Sequence, residues 1–163
     1  MEPPNLVDSP IHYFDYRITF AIVGMFISFL FSASETALTS LGRLEIQRIM
    51  SQGGFVSRLM TVWQTQPSKI LIIILVGNNI ANIVATSCMA LWANFYFQDF
   101  WVSLAMGLFT FLFILFAEIL PKILARQKAM TLSPMAMRFV QFSGIILKPC
   151  LLYTSDAADE STC

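Results

Sequence analysis

The stretch Ile70–Ala93, ILIIILVGNNIANIVATSCMALWA, decides the fold. It holds no Asp, Glu, Lys or Arg from end to end. Crossing the hydrocarbon core of a bilayer as a helix takes ~20 mostly apolar residues. Two other stretches meet the same requirement, Ile18–Leu41 before it and Trp101–Leu120 after it. Composition agrees, with 56% hydrophobic and only 12% charged residues, where an ordinary soluble chain has ~25% charged. The expected fold class is an all-α membrane protein with three transmembrane helices and amphipathic juxtamembrane helices. A fourth apolar stretch, Met135–Tyr153, is broken by Arg138, Gln141, Lys148 and Pro149. It could span, but is expected to lie at the interface.

Several classes drop out early. Ten Lys and Arg against ten Asp and Glu offer no excess charge for nucleic acid. Cys88, Cys150 and Cys163 are far apart and His12 is alone, so neither a disulfide framework nor a Cys/His metal cluster fits. The first span is too long for a cleaved leader, and the acids Glu2, Asp8 and Asp15 precede it in place of a basic region. The tail 154–163, TSDAADESTC, is polar, has neither helical nor strand period, and reads as a truncation or non-native end; the domain is therefore placed at 1–153.

Orientation follows from Lys and Arg in the connections. The first connection carries Arg43, Arg48, Arg58 and Lys69, the second only Asp99, and the segment after the third span carries Lys122, Arg126, Lys128, Arg138 and Lys148. The expected topology is N-terminus outside and C-terminus cytoplasmic, in a plasma or inner membrane. Within the first connection, Leu44, Ile49 and Met50, then Phe55, Val56, Leu59, Met60 and Trp63 recur at helical spacing. Gly53-Gly54 divides two short amphipathic helices and Pro67-Ser68 ends the second. Trp63 is expected at headgroup level.

Ionisable and amide side chains inside a membrane span are costly and mark function. Span one holds Ser32, Ser34 and Glu35; span two holds Gly77, Asn78, Asn79 and Asn82; span three ends in Ala117-Glu118-Ile119-Leu120-Pro121-Lys122. A membrane Ser or Thr often only bonds the carbonyl one turn back, an Asn can serve as glue between helices, and Lys122 can snorkel to the headgroups. At ~1.5 Å rise per residue, however, all three clusters fall at overlapping depths in the cytoplasmic half. Converging hydroxyl, amide and carboxylate oxygens suit a hard cation: Mg²⁺, Na⁺ or Ca²⁺. Pro121 has no N–H, which frees carbonyls near Ala117–Ile119 as ligands or opens the helix there.

Ser32-Ala33-Ser34-Glu35-Thr36-Ala37, Gly77-Asn78-Asn79-Ile80-Ala81-Asn82 and Ala117-Glu118-Ile119-Leu120-Pro121-Lys122 stand in this order. Together with the connection Leu41–Pro67, they resemble the transmembrane domain of the CNNM/CorC family of magnesium exporters, also called hemolysin-like proteins. The likeness covers about Ile18–Lys148. It implies a homodimer with three membrane helices and juxtamembrane helices in each subunit. It also implies an inward-facing cavity for dehydrated Mg²⁺, exported as Na⁺ moves in. Carried over residue by residue, the family's metal ligands fall at Ser32, Ser34, Asn78, Asn79, Asn82 and Glu118, with Glu35, Gly77, Pro121 and Lys122 supporting. Ala117 stands where the family commonly has Gly. The family's nucleotide-binding cytosolic CBS pair is not in this sequence.

Transport of a divalent cation is thus the leading expectation. The alternative is a non-transporting membrane anchor, or a Mg²⁺-sensing dimer module whose polar groups only pack helices. An enzyme is not expected, because His12 lies at the outer end, away from every intramembrane Ser.

Overall fold

The computed structural model describes residues 16–96 and 99–159, and every long element in them is helical. The order is α1 (Tyr16–Thr39), α2 (Arg43–Ser51), α3 (Gly54–Thr65), α4 (Pro67–Tyr96), α5 (Asp99–Phe113), a π-helical stretch (Ile114–Ile119), α6 (Leu120–Gln127) and α7 (Ala129–Asp159). The breaks are chemical. Gly53 and Gly54 both adopt positive φ, +72° and +68°, which glycine alone adopts without steric cost. Pro67 opens α4, where its missing N–H costs nothing. Glu45 accepts the Gly42 N–H at 2.9 Å and so caps the start of α2.

Small residues set the α1–α4 packing. A Cβ at Gly24 would lie 2.9 Å from Ala85 Cβ, and one at Gly77 only 2.2 Å from Phe31 Cζ. Residues 24 and 31 of α1 therefore meet residues 85 and 77 of α4, so the two helices are antiparallel. The third span runs parallel to α1, with Ser32 beside Glu118 and Glu35 beside Lys122. Only 11% of the third span's most apolar window is buried, against 33% for the first and second. It packs on one side and leaves the other to lipid.

The main core lies at one end of the bundle. Ala37 and Leu38 of α1, Ile46 and Ile49 of α2, Leu59, Met60 and Trp63 of α3, Ile70, Ile73 and Ile74 of α4, Ala125 of α6 and Ala136, Met137 and Val140 of α7 form one cluster. Three expectations for the short helices need correction. Trp63 is buried in this core rather than held at the headgroups. Leu44 and Phe55 are exposed, and Ile46 takes the inward position on α2. Helical spacing marks a stripe but leaves its centre to the packing partner, and α7 is that partner for α3.

The number of helices that qualify as spans by length and composition also differs. Among the described residues four helices are long and apolar enough to cross a membrane, the fourth being Ala129–Leu147, where three were expected. Hydropathy admits it because Arg138 is the only charge between Ala129 and Leu147. The packing of α7 ties it to the core end: Ser133 Oγ donates to Ala37 O at 3.1 Å, and Gly144 sits against Ile73. Ala37 and Ile73 both lie toward the core ends of their own helices. The helix continues through Asp159, into the polar tail. Readings that rest on Glu2, Asp8, His12, Asp15 or Cys163 lie outside the described residues.

Candidate functional site

Ser28, Ser32 and Glu35 of α1 share one face, an i, i+4, i+7 series. Antiparallel α4 presents Asn78 and Asn82 to that face, and the third span closes it with Glu118. Ser28 Oγ donates to Asn78 Oδ1 at 2.9 Å. Ser32 Oγ donates to the backbone carbonyl of Glu118 at 3.2 Å. Asn82 Nδ2 donates to Glu118 Oε1 at 3.4 Å, and Asn82 Oδ1 is buried with no hydrogen-bond partner. Three helices thus converge through Ser28, Ser32, Asn78, Asn82 and Glu118.

The third span is shaped for this by its own sequence. Directly before Pro121 the helix widens to the π form over Ile114–Ile119, and Leu120 N–H bonds Leu115 O, five residues back. Pro121 is fully buried and has no N–H to offer the carbonyls one turn back. Such π turns recur at functional sites. The widening shifts the azimuth of everything before Pro121 and brings Glu118 to α1 and α4. Ala117 makes this possible sterically, because it is fully buried against Ala85 and Phe113. Side chains tilt toward the N-terminus of their helix, which carries the Glu118 carboxylate back to Asn82 while its carbonyl meets Ser32.

The other expected residues lie as follows. Ser34 is buried but bonds back to Leu30 O at 2.7 Å, as Thr39 does to Glu35 O at 2.8 Å. Asn79 is exposed, a third of a turn away from Asn78. Glu35 lies at the rim, its side chain 45% exposed and 3.8 Å from Lys122 Nζ. Gly77 is a notch for the Phe31 ring, which also packs on Phe139 of α7 at 4.8 Å between centroids. Ser28 was missed. Its signal was present in the spacing to Ser32, but hydroxyls are common in membrane helices and spacing alone does not select one.

The set can hold a small hard cation. Among the described residues no three His, Cys, Asp or Glu side chains converge. A cation here would therefore rest on Glu118 together with neutral hydroxyl, amide and carbonyl oxygens.

The comparisons with known proteins agree with this architecture. Residues 18–160 match the family model described as the cyclin M (CNNM) transmembrane N-terminal domain. The chain is 32% identical over 99 residues to the UPF0053 inner membrane protein YfjD of Escherichia coli, covering 61% of this chain and 23% of that protein. It is 32% identical over 108 residues to a UPF0053 protein of Haemophilus influenzae, covering 66% and 26%. A chloroplastic DUF21 domain-containing protein of Arabidopsis thaliana, At1g55930, is 28% identical over 123 residues, covering 76% and 19%. The chain matches about a quarter or less of the length of these relatives. An all-helical membrane protein with this match across most of its length belongs to the CNNM family, of which it carries the transmembrane domain.

Proposed function

We propose that this domain carries a divalent cation across the membrane, with Mg²⁺ as the substrate and inward movement of Na⁺ as the driving step. One observation carries the reading: Asn82 Oδ1 is a buried acceptor without a partner, on the side chain that also touches the Glu118 carboxylate. Leaving such an acceptor unmade costs ~1–3 kcal/mol, and a cation between Asn82, Glu118 and the serine hydroxyls would satisfy it. Mg²⁺ demands six oxygens near 2.0–2.1 Å and dehydrates reluctantly. A single carboxylate among neutral ligands suits passage better than storage. Ser28, Ser32, Asn78, Asn82 and Glu118 would bind the ion, and the half-exposed Glu35–Lys122 pair would stand at the cytoplasmic rim. Ser34 and Asn79, also expected as ligands, would need side-chain or helix rotation to join them.

The proposed topology is N-terminus outside and C-terminus cytoplasmic, in a plasma or inner membrane, supported by the distribution of Lys and Arg. A homodimer is proposed as the working unit, supported by the family resemblance and the sparsely buried third span. A reporter fused near Gly53-Gly54 that appears on the outside overturns the topology.

The reading is tested with a Mg²⁺-sensitive dye in vesicles containing the purified protein, with and without a Na⁺ gradient. Uptake or release that follows the gradient supports transport. Well-folded protein without flux returns the chain to the alternative, a membrane anchor or Mg²⁺-sensing module whose polar contacts only pack helices.

A further inference from the structure

The short helices are fixed at the membrane surface by covalent connection. Residues 40–42 alone separate α1 from α2, and Gln66 alone separates α3 from α4. Their inward stripes fill the core, so their outward faces meet headgroups or water. Those faces are cationic. Arg43, Arg48, Arg58 and Arg138 are all exposed. Of the acids nearby, Glu35 pairs with Lys122 and Glu45 caps Gly42, so no carboxylate lies within ion-pair reach of these arginines among the described residues.

Phe55 distinguishes one part of this face. Its ring is 59% exposed in the first turn of α3, where water would oppose it. Arg138 of α7 stacks over that ring, 5.5 Å from Cζ to centroid. Arg58 stands one turn along α3 on the same side, an i, i+3 relation. An exposed aromatic ring therefore carries the guanidinium of Arg138 from one helix, with Arg58 of its own helix one turn along on the same face. We propose that Phe55, Arg58 and Arg138 form a clasp for the headgroup of an anionic phospholipid. The ring enters the acyl boundary, as aromatic residues do at membrane interfaces, and the arginine forks hold the phosphate, which guanidinium matches in bidentate geometry.

A general excess of positive charge on the cytoplasmic side would also attract anionic lipid, at ~1 kcal/mol for each cation. Position separates the two accounts. The purified chain in neutral detergent is titrated with phosphatidylglycerol or phosphatidylcholine, and bound lipid is counted by native mass spectrometry. The clasp predicts tight phosphatidylglycerol adducts and weak phosphatidylcholine ones. In Arg58→Gln/Arg138→Gln, phosphatidylglycerol affinity falls about thirtyfold, the equivalent of those two cations. Arg43→Gln/Arg126→Gln, which removes the same charge elsewhere at this end, keeps it. Equal losses in the two variants overturn the clasp in favour of diffuse attraction. Displacement of the lipid by inorganic phosphate, or by an acidic peptide at equal charge, overturns it in favour of a soluble ligand. A melting temperature unchanged in phosphatidylcholine shows that both variants remain folded.

Discussion

Asn82 Nδ2 lies 3.4 Å from Glu118 Oε1, joining the middle of one membrane helix to the π-widened turn of another. The same amide leaves Oδ1 buried and unpaired. One side chain therefore both positions the carboxylate and holds an unpaired acceptor beside it, the feature on which the proposed cation site rests.

Glu118→Gln tests the charge. It keeps the shape and an acceptor for Asn82 Nδ2 and removes a desolvation penalty, so expression and melting temperature hold. Mg²⁺ flux falls about ten- to hundredfold, as expected for a charge-assisted contact worth ~1.5–3 kcal/mol. Wild-type flux in folded protein would rule out the site as drawn.

Ser28→Ala removes the hydroxyl that meets Asn78 Oδ1. Hydrogen bonds between membrane helices contribute ~0.6 kcal/mol on average, so thermal unfolding in detergent shifts only slightly. Flux drops far more than stability if Ser28 serves the ion. A matched small loss in both would mark the pair as glue.

Gly77→Ala introduces a Cβ 2.2 Å from Phe31 Cζ. Phe31 is buried and packed on Phe139, so its ring cannot swing away freely. The variant loses about 1–3 kcal/mol, the cost of an overpacked core. Phe31→Leu in the same chain restores part of it, and unfolding of the single and double variants measures the coupling.

Pro121→Ala gives the third span back a backbone N–H. The π stretch is then free to close to the α form, which rotates Glu118 relative to Lys122 by about a residue's turn, ~100°. Melting temperature holds or rises while flux is lost. Amide hydrogen exchange at positions 116–121 reports the change, and unaltered exchange together with normal flux would show that Pro121 is not what holds the π form.

Much of this protein is legible along the chain. Apolar runs long enough to cross a bilayer leave helices as the available structure, and Gly53-Gly54 and Pro67 break the chain where backbone chemistry demands. Ser32, Asn78, Asn82 and Glu118 of the candidate site also lie in three short motifs, because amides and a carboxylate inside a span are too costly to be scattered. What stayed hidden is azimuth. Ser28 joins Asn78 while Ser34 turns back to Leu30, and Asn79 is exposed although its neighbour is not. A 3.6-residue period tells which side chains share a face, and only the packing of Gly24 on Ala85, Phe31 in the Gly77 notch and the π turn before Pro121 sets where that face points. The status of α7 was hidden for a related reason. Hydropathy measures how well a helix tolerates lipid, whereas its place is set by what it buries, here Ser133 on Ala37, Phe139 on Phe31 and Gly144 on Ile73.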